Sequence, residues 1–404
     1  MDIISKDLFF KNRVSISLMF FSSGFLFASW ASRIPLIQAH LNINNGTLGL
    51  MLLGIPIGAL CSIPISNKIN QIYPSYKITL FSISFYALLL LVIGFNTGIT
   101  GLGISLFFFG LFGNITNIAM NVQAVNLEEK MEANIMSSFH GFFSIANMIG
   151  AFFGGIMGTL MIPPLFHFMI SGIIIGILLM VFGRNLLKED YKPHPVPKEI
   201  NQPKSFIPPP LVLYLGFIAF CVMLSEGAMA DWSGVYLKNQ MHIAGGLNTA
   251  GYTAFALSMA LIRFFGEWII QKWGTARTVM VSGLMIASGL SLVLIFSILP
   301  LVILGFGMVG LGCATVVPIV YSAVGRIKSI PASQGLGTVT IIGYVGFLLG
   351  PPIIGFLAQL FSLRTGFIVV LTLGIMISLL SRWVPEKRGS DLENIDIIPP
   401  LQDY

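Results

Sequence analysis

Lys188–Pro210 reads KEDYKPHPVPKEINQPKSFIPPP. It is the longest polar stretch of a 404-residue chain in which 55% of residues are hydrophobic and only 9% are charged. A soluble domain carries about a quarter charged residues, so the rest of this chain is not built for water. Closely spaced prolines and charges of both signs keep Lys188–Pro210 out of hydrocarbon and give it an extended path. On each side of it lie six apolar runs.

The runs before it are residues 14–32, 48–66, 78–95, 101–125, 138–160 and 166–183, and those after it are 211–237, 249–270, 278–297, 301–324, 336–358 and 365–383. A helix needs about 20 apolar residues to cross a hydrocarbon core of roughly 30 Å, about twice the length of a barrel strand. Backbone groups in lipid must be satisfied within the segment, so each run is read as a helix. The expected fold is all-α and integral to the membrane, with twelve spans in two pseudo-symmetric bundles. The first bundle covers residues 1–183, a linker covers 184–210, and the second bundle covers 211–404 with a short polar tail.

Lys and Arg sort by side. All 22 lie on the side that holds both termini and the linker, except Arg33, Lys238 and Arg364 on the other side and Arg263 inside a span. By the positive-inside rule the basic side is cytoplasmic, which makes this a multi-pass inner-membrane protein with both termini inside. The net charge of +6 then reports topology. It does not point to nucleic acid, because no basic cluster is interleaved with exposed aromatics. Val14–Ala31 follows Lys11 and Arg13 as a signal peptide would, yet no A-x-A site follows it and eleven further spans do. It is read as a mature helix.

Cys61, Cys221 and Cys313 fall in apolar runs and are expected to pack. The five histidines, at 40, 140, 167, 194 and 242, show no metal-ligand spacing. No Gly-rich phosphate loop follows a strand. Neither an enzyme nor an ATP-driven pump is expected, and no metal or cofactor. The expected partners are a small-molecule substrate, protons and the lipid bilayer, with the chain a monomer.

The halves echo one another at a shift of roughly 200 residues. Gly110 matches Gly310, Gly150 and Gly155 match Gly350 and Gly355, and Asn67-Lys68 matches Gln271-Lys272. Ala28-Ser29-Trp30 matches Ala230-Asp231-Trp232. Two parallel six-helix halves are one architecture of secondary transporters, with the substrate site at mid-membrane between them. Spans 3, 6, 9 and 12 are the most uniformly apolar and are expected to face lipid. Spans 1, 4, 5 and 7 carry polar groups and are expected to line a cavity.

Six plus six helices around a polar linker resemble the major facilitator superfamily. That family's loop signature, G-x-x-x-D-R/K-x-G-R after helices 2 and 8, is degenerate here. Ser66-Asn67-Lys68 has Asn in the acidic place, and Gly266–Gly274 has Gln271. Longer motifs are more specific: Ala28–Pro35, Asn121-Val122-Gln123, His140–Ser144, Glu226–Trp232 and Gly343–Pro352. Together they resemble the bacterial YbjJ-like branch, distantly similar to fucose-permease-type sugar symporters. The resemblance implies transport by alternating access and brings no substrate with it. Where that branch typically has Asn-Val-Glu, this chain has Gln123. Span 1 also lacks the acidic residue that sugar-proton symporters often use.

Glu226 lies 15 residues past Leu211, or about 22 Å along a helix. An ionisable group at that depth costs roughly 2.5–3.5 kcal/mol on insertion scales and should face a cavity or a partner. It is the first candidate for proton coupling, against a structural ion pair. Asp231 lies roughly 140° further round the helix. It shares a small-residue face with Gly227, Ala228 and Gly234, and it is either the second coupling candidate or a structural partner for Arg33. Asn114, Asn117 and Asn121 form one stripe. Their amides donate and accept, as a hydroxyl-rich substrate requires, or they bond between helices. His140, Ser144 and Asn147 share a face of span 5, with His140 a gate, a pH-sensitive group or a structural histidine.

Trp30, Trp232, Tyr321 and Tyr344 offer stacking surface, or interface anchoring for the tryptophans. Arg263 and Glu267 are expected to pair at i, i+4 and to act with Arg33 and His140 as gate elements. The expected substrate contacts are Trp30, Asn117, Asn121, Gln123, Ser144, Glu226, Tyr321 and Tyr344. The reading is a proton-coupled symporter of a small polar organic solute, sugar-like or another metabolite. The alternatives are a drug or metabolite efflux pump of the same fold and a non-transporting membrane sensor. The topology predicts that Lys198→Cys is shielded from an impermeant thiol reagent outside intact cells and labels in inverted vesicles. Labelling from outside would reverse the orientation.

Overall fold

The computed structural model describes residues 3–95, 98–131, 135–188, 208–327 and 330–386. These residues are helical apart from short connections, and no strand occurs among them. Twelve helical segments are long and apolar enough to cross a membrane. In the first half they are Leu8–His40, Asn45–Ile72, Ser75–Phe95, Ile99–Met131, Ser138–Thr159 and Pro164–Asn185. In the second half they are Pro210–Asn239, Gly245–Trp273, Thr275–Ile295, Leu299–Gly325, Gln334–Leu360 and Leu363–Trp383. We number them spans 1–12. All twelve expected runs are present. Most of the linker (189–207) and most of the tail (387–404), Lys198 included, lie outside the described residues.

Local chemistry breaks three of the spans. Span 1 turns at Ser32-Arg33 and resumes as Ile34–His40, with Pro35 in its first turn, where a missing N–H costs nothing. Span 2 starts at a cap in which the Asn44 side chain accepts from the Thr47 N–H at 2.8 Å, and it bends near Leu53 ahead of Pro56. Span 10 is broken at Ala314-Thr315. Spans 1, 10 and 7 are the most enclosed, with 78%, 67% and 61% of their apolar windows buried, against 22% for span 6. The expected lipid-facing role therefore stands out for span 6. Spans 3, 9 and 12 are 39–44% buried, close to spans 4 and 5 at 44%.

Helix crossings are set by glycines that lay one backbone directly on another. A Cβ at Gly110 of span 4 would strike the Ile55 carbonyl of span 2, and a Cβ at Gly310 of span 10 would strike the Phe255 carbonyl of span 8. The two crossings are copies of one another, and so are two contacts between the halves. A Cβ at Gly155 of span 5 would lie 2.6 Å from Thr249 Oγ1 at the start of span 8, and one at Gly355 of span 11 would lie 2.7 Å from Asn45 O at the start of span 2. Both contacts sit at the face away from the chain termini, called the far face below. Towards the opposite, basic face, a Cβ at Gly337 of span 11 meets nothing within 4 Å.

Gly310→Ala should lose about 1–3 kcal/mol to overpacking, read as a lower melting temperature and folded yield in detergent. Gly337→Ala should be neutral or slightly stabilising, by up to about 1 kcal/mol of helix propensity. Equal behaviour of the two variants would remove the backbone crossing as the cause.

Candidate functional site

Between the halves lies a cavity of about 240 Å³. Spans 1, 2 and 5 of the first half and spans 7, 8 and 11 of the second supply its walls, and spans 4 and 10 supply none. The wall is largely apolar and aromatic: Phe27, Phe143, Phe255 and Phe347, with Tyr252 and Tyr344. Its polar members are few, and all the charged ones belong to the second half: Glu226, Asp231 and Arg263.

Span 7 presents both carboxylates although they lie 140° apart on an unbroken helix, Pro210–Asn239. Ala230 and Gly227 fall between them on the helix circumference and line the same cavity. The span thus pushes a wide arc into the space, with a carboxylate at each edge and small residues in the middle. Sharing a cavity did not require sharing a helix face, and Asp231 does not turn to Arg33.

The two carboxylates differ in company. Glu226 Oε1 lies 4.0 Å from Arg263 Nη2, a long ion pair whose side chains are 28% and 24% exposed. Arg263 Nη1 also donates across the interface to Ser144 Oγ at 2.6 Å, and Ser144 donates to the His140 carbonyl of its own helix at 3.0 Å. One turn along span 5, Asn147 Oδ1 accepts from Tyr252 OH at 3.0 Å. Two side-chain bonds therefore fasten span 5 to span 8 beside the cavity. Asp231 has no hydrogen bond or ion pair to any described residue. Tyr344 donates to Asn114 Oδ1 at 3.5 Å, which puts Asn114 at the margin.

Ser144, Asn147, Glu226, Asp231, Arg263 and Tyr344 thus meet at one cavity, and the other expected residues are not among its lining. Asn117 and Asn121 are half-buried and bond to each other along span 4, with Asn121 Nδ2 donating to Asn117 O at 2.7 Å. Asn114 donates to Ala59 O and Ser62 Oγ of span 2. None of the three is among the residues that line the cavity. Gln123 is fully buried and bound at both ends of its amide. It donates to Ser75 Oγ at 2.6 Å and to Leu187 O at 2.9 Å, and it accepts from Leu187 N at 2.9 Å. It pins the residues after span 6 to the start of span 3.

Trp30 and Trp232 are wholly buried in the core, so neither anchors at an interface. Tyr321 accepts from Thr340 Oγ1 at 3.1 Å between spans 10 and 11 and is not among the cavity's lining residues. His140 packs edge-on against Phe20, ring centroids 5.2 Å apart. Glu267 is exposed, and Arg263 turns to Glu226 and Ser144 instead of the expected i+4 partner. Arg33 lines a separate cavity at the far face. Tyr252 and the four phenylalanines were not singled out from the sequence. Tyr252 could have been, since a phenol inside an apolar span needs a hydrogen-bond partner.

Replacing Arg263 with Met leaves Glu226 without its counter-charge. Because the pair is partly open to the cavity, the loss should fall below the roughly 3–5 kcal/mol of a fully buried pair. Adding Glu226→Gln should restore most of the melting temperature. A double variant no more stable than Arg263→Met would show that the pair contributes nothing.

Sequence and structure comparisons agree on what this architecture is. The profile of the Major Facilitator Superfamily matches residues 16–330 and 215–396. An uncharacterized MFS-type transporter of Yersinia pestis is 34% identical over 358 residues, 88% of this chain and 91% of its own length. The membrane protein MosC of Rhizobium meliloti is 26% identical over 383 residues, 94% and 91% of the two chains. Among solved structures, a mutant of the nucleoside transporter NupG aligns with TM-score 0.73 at 12% identity, over 91% of this chain and 98% of that one. A D-xylose-proton symporter aligns with TM-score 0.71 at 11% identity, over 93% and 98%. At such identities the solved structures speak for the fold alone. The chain, a multi-pass membrane protein, belongs to the major facilitator superfamily of transporters.

Proposed function

We propose that this transporter carries an amphiphilic organic solute, with an apolar or aromatic body and a basic nitrogen, by proton-coupled alternating access across the inner membrane. The observation that carries the reading is Asp231. Its carboxylate faces a cavity walled by six aromatic side chains and has no partner among the described residues. Aromatic faces and a lone carboxylate suit a cation with an apolar body. The sugar-like solute expected from the asparagine stripe loses its support, because Asn117 and Asn121 do not line this cavity. Drug or metabolite efflux, the alternative of the same fold, fits this cavity better.

The basic face is cytoplasmic by the positive-inside rule, with the termini and the linker inside. The contacts at the far face are then the outer gate, closed in this structure. Opening that gate requires parting Gly355 from Asn45 and Gly49, and Gly155 from Thr249. Coupling runs through Glu226. A proton on Glu226 removes the charge that holds Arg263 and leaves the guanidinium to Ser144 of the first half. Loss of the proton draws Arg263 back to its own half. The chain works as a monomer, and the YbjJ-like branch is where its motifs fit best.

A melting-temperature screen of purified protein across sugars, nucleosides, amino acids and aromatic amines tests the substrate class, because a ligand of the native state raises Tm. An aromatic monocation should stabilise the protein, and Asp231→Asn should weaken its binding at least tenfold, about 1.4 kcal/mol. Stabilisation by neutral sugars alone would overturn the substrate class. In vesicles, Glu226→Gln should abolish accumulation driven by a pH gradient and keep solute exchange, because the amide holds the shape without titrating. Gradient-driven accumulation that survives Glu226→Gln would remove Glu226 from coupling.

A further inference from the structure

A second cavity, of about 230 Å³, lies between the halves at the far face. Its charged wall residues are Arg33, from the turn that ends the long helix of span 1, and Lys238, from the last turn of span 7. No carboxylate is among its lining residues.

Arg33 is only 2% exposed, and its protein partners are neutral. Nε donates to His167 Nδ1 at 3.0 Å, and Nη2 donates to the Ile162 carbonyl at 3.2 Å. A ring whose Nδ1 accepts a hydrogen bond is a neutral imidazole with its proton on Nε2. His167 therefore orients the guanidinium without balancing its charge. Nη1 has no acceptor among the described residues. It lies 3.7 Å from where a Cβ of Gly158 would be, on the cavity wall. Lys238 is likewise held by a neutral group, donating to the Pro35 carbonyl at 2.7 Å. Two cations from opposite halves thus face one small space with no counter-charge among the described residues. A buried cation without one is costly.

The lining fits an ion better than an organic solute. Gly154, Gly158 and Gly245 line the space without side chains, and Gly245 has φ +65°, a conformation that suits glycine. Ser32 and Asn248 complete the polar wall. A guanidinium fork with free N–H groups is suited to an oxyanion, and a lysine ammonium adds a point charge.

We propose that Arg33 and Lys238 form a binding site for a phosphate-class oxyanion that bridges the two halves and holds the far face closed. Free phosphate and the phosphate of an anionic lipid headgroup are the two sources of that chemistry. The bridge lies beside a neutral latch in which Asn239 Nδ2 donates to Gln38 Oε1 at 3.1 Å and Gln38 Nε2 donates to Asn45 Oδ1 at 2.9 Å. Without an anion, two like charges would face each other across this closure. With one, separating the halves would break an ion pair on each side.

The test uses the full-length protein in a neutral detergent. Inorganic phosphate is titrated against sodium chloride at constant ionic strength, and a parallel arm adds phosphatidylglycerol in mixed micelles. A saturating rise in Tm of at least about 2 °C is expected in one arm, and the arm that responds names the source. Lys238→Gln, at a half-buried helix end, should abolish the rise. Arg33→Lys, which keeps the charge and loses the fork, should weaken binding at least tenfold. A cysteine at Asn248 should react more slowly with a thiol reagent when the responding anion is present. No rise in either arm, or the same rise in Lys238→Gln, would overturn the site. A rise that tracks ionic strength without saturating would do so too.

Discussion

A polar side chain in the hydrocarbon core has no water to turn to, and this protein's arrangement follows from that cost. Most of its intramembrane polar groups are consumed by neighbours. Serines and threonines bond back to their own helices, as Ser22 does to Leu18 O and Ser225 to Cys221 O. The asparagines of span 4 bond to one another and to span 2, and Gln123 uses both ends of its amide. The groups left over are then conspicuous. Asp231 faces one cavity without a partner, and Arg33 faces another with neutral partners only.

Close backbone contact does for the halves what hydrogen bonds do for the side chains. Lipid tails are as apolar as leucine, so packing distance has to supply helix association. Gly110 and Gly310 seat spans 4 and 10 on spans 2 and 8 within their own halves. Gly155 and Gly355 use the same device between halves, each reaching the start of the partner's helix pair. One kind of contact serves both the fixed interior of a bundle and the surface that must come apart, because contacts through glycine need no side chain to repack.

The spans were legible in the sequence because hydrocarbon thickness fixes their length, and the repeat was legible because some glycines at crossings, Gly110 with Gly310 and Gly155 with Gly355, have their copies. The site was legible only in part. Periodicity says which residues share a face. It does not say which way the face points, so Asn117 and Asn121 were read as cavity lining when they bond along their own helix. The i, i+4 spacing of Arg263 and Glu267 was outweighed by Glu226 and Ser144, partners from other helices that no local pattern reveals. The 140° between Glu226 and Asp231 seemed to separate them, yet a helix that bulges into a cavity exposes more than one face. The aromatic wall was hidden because phenylalanine in an apolar span looks the same whether it meets lipid, core or solute.

The distribution of charge around the central cavity is lopsided. The first half lends it only neutral side chains, while Glu226, Asp231 and Arg263 all ride on spans 7 and 8. If the halves rock as stiff units, every ionisable group there is carried by one of them. The transmembrane voltage would then do its work on that unit, at about 2.3 kcal/mol per charge per 100 mV across the full field. The other would serve as an electrically silent counter-surface. Any voltage dependence of the cycle contributed by this cavity would be written into two adjacent helices.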